Sequence, residues 1–217
     1  MKHLIFDMDG VLIDSEPVHK NILNGVFKAL GMHITSSYLE SLTGMAAIPT
    51  WTKIKEDMQR EETPEQLVAF HRDYFYQRFE QFEIPEVKGV KQLISRLKKQ
   101  NVCLSVASSS SKELINIFTQ KLDIQRYFDV MVSGNEVEKS KPNPDIFLKV
   151  AQWYGAAPEH FWVIEDSKHG VEAAKSAGMK CIGFANPNSG NQDLSKADVI
   201  VREMDEITDF FIEHMYR

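Results

Sequence analysis

His3-Leu4-Ile5-Phe6-Asp7-Met8-Asp9-Gly10 is the stretch of sequence that decides the fold of this chain. A short apolar run that ends in acidic residues predicts a buried strand whose carboxyl end presents Asp7 and Asp9. Their spacing points both side chains to the same side if the strand persists, and Gly10 allows the backbone to turn sharply. Ligands of open parallel sheets bind outside the carboxyl ends of the strands, so this stretch predicts one wall of a binding site.

Similar apolar runs recur along the chain and alternate with helical patterns. Apolar residues at helical spacing, such as Val90, Leu93, Ile94 and Leu97, separate the strands. Ser167 and Gly178 suit the N-cap and the C′ position of one of these helices. Alternation of this kind predicts an α/β protein with a Rossmann-like, doubly wound parallel sheet core covered on both faces. The predicted strands cover residues 3–6, 102–107, 130–132, 161–164, 181–184 and 199–201.

Residues 15–82 interrupt this alternation, because they carry only helical patterns. Pro17 suits the first turn of the opening helix. The stretch is too long for an ordinary crossover, so it predicts a small α-helical cap domain inserted into a catalytic core of residues 1–14 and 83–217. The alternative is that these helices thicken one face of the sheet. The predicted apolar faces are Ile22, Val26, Ala29 and Leu30, then Trp51, Ile54 and Met58, then Leu67, Phe70 and Tyr74.

Composition restricts the class of protein and of partner. The 217 residues carry 25 Lys and Arg against 31 Asp and Glu, a net charge of −6, which argues against nucleic acid or an anionic membrane as the main partner. The apolar run at the N-terminus is too short for a signal peptide, and no run approaches the length of a membrane span. Cys103 and Cys181 lie in apolar runs and suggest buried free thiols in a reducing compartment. We expect a cytoplasmic monomer.

Polar side chains follow four of the predicted strands. The first strand delivers Asp7 and Asp9, the second Ser108, the third a segment containing Lys141, and the fourth an acidic pair. Four such groups in order predict one convergent site. An EF-hand calcium loop that starts at Asp7 is excluded. Such a loop needs glycine at position six and glutamate at position twelve, where this sequence has Leu12 and Val18. The acids could also be simple turn formers.

Asp7 and Asp9 fit the roles of a carboxylate nucleophile and a general acid–base catalyst. Asp7 would attack phosphorus to form an aspartyl-phosphate, while Asp9 would protonate the leaving alcohol and later deprotonate water. A phosphate beside these acids meets repulsion of roughly 4 kcal/mol per pair of unit charges at 4 Å. An all-oxygen cluster favours Mg²⁺ as the compensating cation. The candidate metal ligands are Asp7, Asp9 through its backbone carbonyl, and the pair Glu165 and Asp166.

Lys141 and Ser108 are candidate ligands of the phosphate. Lys141 would supply positive charge, with Lys139 as a rival, and either could be an ordinary surface lysine. Ser108 would donate to the phosphoryl oxygens. The backbone amides of Met8, Asp9 and Ser109 are further candidate donors, because developing charge is best met by fixed dipoles. The serine run could instead be a flexible linker, although a buried strand directly precedes it.

These four motifs resemble those of the haloacid dehalogenase superfamily of phosphohydrolases, in the branch with a helical cap that contains β-phosphoglucomutases and sugar phosphatases. The resemblance covers essentially the whole chain. It implies a Mg²⁺-dependent enzyme with Asp7 as nucleophile, Asp9 as acid–base residue, and Ser108 and Lys141 as phosphate ligands. It selects Lys141 over Lys139, because the family's lysine directly precedes a proline. Residues 14–17 resemble the family's hinge into the cap. Closure of the cap over the site would exclude water, and it predicts a second hinge near residues 82–89.

The cap leaves the substrate and the reaction open. At the position of Ala47 β-phosphoglucomutases carry an arginine that holds a second phosphate, which argues against a mutase, whereas His19 stands where mutases have a histidine. We therefore expect a phosphatase acting on a small phosphorylated metabolite, such as a sugar phosphate, with a phosphosugar mutase as the alternative. Dehalogenation is disfavoured by the presence of Asp9. A non-catalytic scaffold is disfavoured because none of the acids is lost.

Overall fold

The computed structural model describes residues 2–42, 47–78, 83 and 85–215 of the chain. The strands, all paired in parallel, are β1 (Lys2–Phe6), β2 (Val102–Ser108), β3 (Val130–Ser133), β4 (Phe161–Glu165), β5 (Lys180–Phe184) and β6 (Val199–Val201). The helices are α1 (Glu16–Ala29), α2 (Ser36–Ser41), α3 (Ala47–Asp57), α4 (Pro64–Arg78), α5 (Val90–Lys99), α6 (Lys112–Lys121), α7 (Asp145–Tyr154), α8 (Lys168–Ser176) and α9 (Asp209–His214).

The strands form one six-stranded sheet in the order β3-β2-β1-β4-β5-β6. The order reverses at β1, so the strand that carries Asp7 lies at the centre of the sheet, where doubly wound folds bind their ligands. Strands β1 and β4 are almost continuously buried, as expected for a sheet with both faces covered. The predicted α/β fold with a Rossmann-like parallel sheet is confirmed, and each predicted strand agrees with the observed one to within a residue.

Helices of the sheet region bury the apolar faces that the sequence predicts. Val90, Leu93, Ile94 and Leu97 of α5 are completely buried. Helix α8 begins after Ser167, whose side chain accepts a hydrogen bond from the Gly170 amide at 3.0 Å, as predicted for an N-cap. Of the two cysteines, Cys181 is buried and Cys103 is only partly buried, and both are free thiols.

The chain divides into two compact units, Met1–Glu16 with Ile84–Arg217 and Pro17–Glu83. In the first unit, the two chain segments that lead to the second unit pair side by side. The Asp14 amide donates to the Pro85 carbonyl at 2.8 Å, and the Val87 amide donates to the Leu12 carbonyl at 3.1 Å. The predicted hinge residue Phe82 lies outside the described residues.

The second unit contains helices α1 to α4. Ile22, Ile54 and Leu67 are buried within it, and the indole of Trp51 packs near the rings of Phe27 and His71. The structure corrects three predicted faces: Ala29 of α1 is exposed, Leu30 and Met58 are only partly buried, and α4 buries Phe75 rather than Phe70. Residues 67 and 75 are eight apart and therefore share a helix face, while the ring of Phe70 lies at its border beside Tyr74. In the described part of the chain, no helix combines the length and the apolar character needed to cross a bilayer.

Candidate active site

The site is built at the carboxyl ends of the central strands. Asp7 directly follows β1, and its amide donates to the Ile164 carbonyl of β4 at 3.0 Å, which extends the sheet pairing by one residue. Ser108 is the last residue of β2, and Glu165 is the last residue of β4. Because these strands are parallel and adjacent, the acids and the hydroxyl that follow them come together at one edge of the sheet.

Lys141 connects two of these strand ends through a buried ion-pair cluster. Its ammonium nitrogen lies 2.6 Å from Asp7 Oδ1 and 2.6 Å from Glu165 Oε1, and it also donates to the Ala107 carbonyl at 3.1 Å. The Lys141 side chain is 7% exposed and that of Glu165 is 1% exposed. The ammonium lies 5.0 Å from the centre of the Phe147 ring. Lys139, the rival candidate, has no side-chain contact of this kind among the described residues.

Burial and neighbouring charges together shift the pKa values of these groups. Burial raises the pKa of Asp7 well above its usual value, and the Lys141 ammonium offsets only part of that effect. Burial raises the pKa of Asp166 to about 7, and Glu165 adds to the rise through like-charge repulsion. Burial lowers the pKa of Lys141, but Asp7 and Glu165 outweigh burial and the net shift is upward. The lysine therefore stays charged, and the cluster contains more carboxyl groups than one ammonium can keep ionised.

This excess of buried acid fits a hard divalent cation. Asp7, Glu165 and Asp166 are all buried, and each offers a carboxylate oxygen within 4.8 Å of the others. Three oxygen donors of this type suit Mg²⁺ rather than zinc. The donor set of the described residues thus agrees with the metal that the sequence predicts at Asp7, Glu165 and Asp166.

Two glycines allow the acids to come this close to the backbone. A Cβ at Gly10, where φ is +79°, would come within 3.0 Å of Asp166 Oδ2 and of Ser189 Oγ. A Cβ at Gly170 would fall within 3.0 Å of the Glu165 carboxylate, in a helix where alanine would otherwise be preferred. At both positions a carboxylate therefore occupies space that a larger residue would fill.

Asp9 is held by the serine segment that follows β2. Its Oδ2 accepts hydrogen bonds from Ser110 Oγ at 2.8 Å and from Ser108 Oγ at 3.5 Å. Its Oδ1 is buried and has no hydrogen-bond partner within the described residues. Ser108 also accepts a hydrogen bond from the Ser110 amide at 3.0 Å, so the serine run is a folded turn rather than a flexible linker.

A cavity of about 260 Å³ opens between these groups, entirely within the first unit. Its lining residues are Asp7, Asp9, Gly10, Ser15, Ser109, Lys141, Glu165, Asp166, Ser167, Ser189 and Gln192. Most of the candidate site residues thus line one cavity, and Ser108 adjoins it through Asp9. The Met8 side chain is completely buried, which leaves only its backbone to serve a ligand. His19 lies in α1 and Ala47 begins α3, and their side chains lie outside the part of the structure that is described.

Sequence reasoning missed Ser110 and the loop that follows β5. Ser110 Oγ donates to Asp9 Oδ2 at 2.8 Å, whereas Ser109 lines the cavity. Asn186 donates to the Gly10 carbonyl at 2.8 Å, and the Ser189 hydroxyl donates to Asp166 Oδ2. The available signal was that β5 also ends at the edge of the sheet that carries the acids, so the residues after Phe184 belonged among the candidates.

Comparison with known proteins finds relatives over nearly the whole chain. The model of the haloacid dehalogenase-like hydrolase family matches residues 4–184. A phosphorylated carbohydrates phosphatase of Thermotoga maritima is 33% identical over 95% of this chain and 96% of its own. The β-phosphoglucomutase of Bacillus subtilis is 28% identical over 96% of this chain and 92% of its own. The crystal structure of CbbY from Rhodobacter sphaeroides in complex with phosphate superposes with a TM-score of 0.77 at 25% identity, covering 95% of this chain and 96% of that one.

These matches confirm the resemblance that the four motifs carry and the prediction of a phosphatase-type hydrolase. The match spans strands β1 to β5 and includes the carboxyl ends of β1, β2 and β4, which carry the acids and the serine segment of the site. The chain therefore belongs to the haloacid dehalogenase-like hydrolase family.

Proposed function

We propose that this protein is a Mg²⁺-dependent phosphatase that hydrolyses a small phosphorylated carbohydrate through a covalent phosphate ester of Asp7. The observation that carries the proposal is the buried cluster in which Lys141 contacts both Asp7 and Glu165, with Asp166 close by, at the mouth of one cavity. The Thermotoga maritima relative, named for phosphorylated carbohydrates, supports the substrate class.

In the first step Asp7 acts as the nucleophile. A carboxylate oxygen of Asp7 forms a bond to phosphorus, and the bond from phosphorus to the sugar oxygen breaks. Asp9 donates a proton to the departing oxygen, so the product leaves as a neutral alcohol. Ser108 and Lys141 bind the phosphoryl oxygens, and the backbone amides of the Asp7–Asp9 turn and of the serine turn can add fixed dipoles.

In the second step Asp9, now ionised, takes a proton from water. The water oxygen attacks phosphorus, the bond to Asp7 breaks, and inorganic phosphate leaves with Asp7 restored. The hydrogen bond from Ser110 at 2.8 Å keeps Asp9 beside the cavity for both proton transfers. Bound Mg²⁺, held by Asp7, Glu165, Asp166 and the Asp9 carbonyl, would supply the positive charge that keeps the acids ionised next to a phosphate.

Substrate selection is assigned to the helical unit, as the family resemblance implies. Relatives of the chain carry both phosphatase and β-phosphoglucomutase names. Alanine at position 47 favours hydrolysis, since a mutase must retain a bisphosphate while it turns over and the arginine that would hold the second phosphate is absent from that position. The roles of His19 and Ala47 in the substrate site remain predictions.

The proposal is tested by phosphate release from a panel of sugar phosphates and from p-nitrophenyl phosphate, with Mg²⁺ and with a chelator. Asp7→Asn should reduce turnover by roughly 1,000-fold or more, because the amide cannot attack phosphorus. Asp193→Asn, the same change at an exposed position outside the cavity, is the matched control. Turnover by Asp7→Asn within tenfold of the unaltered protein would rule out the covalent route. Conversion of β-glucose 1-phosphate to the 6-phosphate, with bisphosphate added, would favour the mutase.

A further inference from the structure

The loop after β5 contacts the candidate active site at two points. Asn186 is 6% exposed, and its side-chain amide donates to the Gly10 carbonyl at 2.8 Å. Three residues later the Ser189 hydroxyl donates to Asp166 Oδ2. These contacts join segments about 20 to 180 residues apart in sequence, so the loop ties the turn after β1 to the acid after β4.

Hydrogen bonds within the loop give it a defined path. Asn186 Oδ1 accepts from the Asn188 amide at 2.8 Å, and the Asn186 carbonyl accepts from the Ser189 amide at 3.2 Å. Gln192 contributes from the other side, because its side-chain amide donates to the Ser189 carbonyl at 3.0 Å. The loop is therefore a folded turn that presents the Ser189 hydroxyl, with Asn186 fixing both the turn and its attachment to Gly10.

The contact between Ser189 and Asp166 has the character of an orienting interaction. An ionised carboxylate can only accept hydrogen bonds, so the Ser189 hydroxyl must donate to it. The Gly10 backbone closes the other side, since a Cβ there would meet both Asp166 Oδ2 and Ser189 Oγ within 3.0 Å. One oxygen of Asp166 is thereby held between a hydroxyl and a backbone turn, which restricts the rotation of the carboxylate.

We propose that Ser189 and Asn186 are positioning residues for the metal site, Ser189 by orienting the Asp166 carboxylate and Asn186 by fixing the Ser189 turn against Gly10. The inference rests on the proposed Mg²⁺-dependent function and assigns a role to a loop that carries none of the four motifs. Loss of a hydrogen bond that orients a ligating side chain typically weakens metal binding by about 10- to 100-fold. Neither residue is expected to touch the metal.

The test is calorimetric titration of MgCl₂ into the full-length, metal-free protein. Ser189→Ala should raise the Kd for Mg²⁺ by about 10- to 100-fold, and Ser189→Thr, which keeps the hydroxyl, should restore binding to within about threefold. Asn186→Ala should also weaken binding. Ser195→Ala, the same substitution at an exposed site of the same connection, is the matched control. The Mg²⁺ dependence of the melting temperature gives a second readout without turnover, because a ligand of the folded state stabilises it according to its concentration relative to Kd.

The outcomes separate the two proposals. If the unaltered protein binds Mg²⁺ and Ser189→Ala binds it equally well, the positioning role is refuted while the phosphatase proposal stands. If the unaltered protein binds no Mg²⁺, both proposals fail. A purely structural role for the loop would lower the melting temperature of Ser189→Ala without changing its Kd, and that result also refutes the inference. Should Ser189→Ala not fold, Ser189→Cys, with a much weaker donor, is judged by the same thresholds.

Discussion

Gly170→Ala is the substitution for which the structure makes the most specific prediction. Gly170 is the third residue of α8, and a Cβ there would fall within 3.0 Å of the Glu165 carboxylate. Ordinary Cβ contacts begin near 3.4 Å, so the carboxylate must move. The bond from Lys141 to Glu165 Oε1 is 2.6 Å long, and hydrogen bonds of this kind weaken beyond about 3.2 Å. We therefore expect the added methyl group to separate Glu165 from Lys141.

The magnitude follows from two opposing effects. Loss of a buried hydrogen bond between charged groups costs about 1.5–3 kcal/mol. Replacement of a helical glycine by alanine returns about 1 kcal/mol through helix propensity. The free energy of unfolding should therefore fall by only about 0.5–2 kcal/mol. Activity receives no such compensation, and the same 1.5–3 kcal/mol lost from the transition state corresponds to a decrease of about 10- to 100-fold in turnover.

Urea unfolding and phosphate release at saturating Mg²⁺ measure the two quantities on the same samples. Ser176→Ala, at an exposed position of the same helix, controls for helix propensity alone and should leave turnover unchanged. A Gly170→Ala variant that is about 1 kcal/mol more stable and fully active would show that Glu165 does not need the position seen here. That result would refute the conclusion that Gly170 provides space that the Glu165 carboxylate needs.

Three further outcomes concern stability and reactivity elsewhere. Burial alone would raise the pKa of Asp198, but hydrogen bonds from Lys175 and from the Cys181 amide outweigh it and lower the pKa. Asp198→Asn should thus cost about 1 kcal/mol at pH 7 in urea unfolding, and the difference should shrink as the pH falls below about 4 and through the lowered pKa of the folded state. A difference that stays constant as the pH is lowered through this range would contradict this. Trp51→Ala removes a side chain that is 2% exposed and should destabilise the helical unit by about 3–5 kcal/mol by the same measurement, whereas a loss below 1 kcal/mol would contradict the packing. Burial raises the pKa of the Cys181 thiol, so iodoacetamide should alkylate Cys103 first in the native protein. Mass spectrometry measures the two alkylation rates, and equal rates would contradict this prediction.

The sequence predicts best those features that depend on a repeated pattern. The apolar stripe from Val90 to Leu97 and the six strand runs are local periodicities, and the structure reproduces both. The convergence of Asp7, Lys141 and the acidic pair followed from one rule about parallel strands, which needs no knowledge of the loops. The metal-binding and catalytic roles of these residues are still predictions, although the structure places the side chains together.

Features that depend on the path of a loop were not predictable in this way. The sequence does not show which of the consecutive serines Ser108, Ser109 and Ser110 contacts Asp9. In the structure Ser110 makes the shorter hydrogen bond to it, at 2.8 Å, and Ser108 the longer one, at 3.5 Å. Phe70 fits the apolar spacing of α4 but remains 38% exposed, because it lies at the border of the face that Leu67 and Phe75 share, and periodicity alone does not fix where that border falls. The Ser189 loop has no periodicity at all, and its role depends on contacts with residues far away in sequence.

The arrangement of acids at the site depends on two glycines and lowers the stability of the protein. Glycine inside a helix is destabilising by roughly 0.5–1 kcal/mol relative to alanine, and a buried excess of carboxylates is unfavourable as well. The missing side chain at Gly170 leaves the space in which the Glu165 carboxylate reaches Lys141. Gly10 leaves the corresponding space for Asp166 and Ser189. It follows that a sequence with the same acids, Ser108 and Lys141 but with alanine at either glycine could not place its carboxylates as they lie here, so the glycines are as informative about this site as the acids themselves.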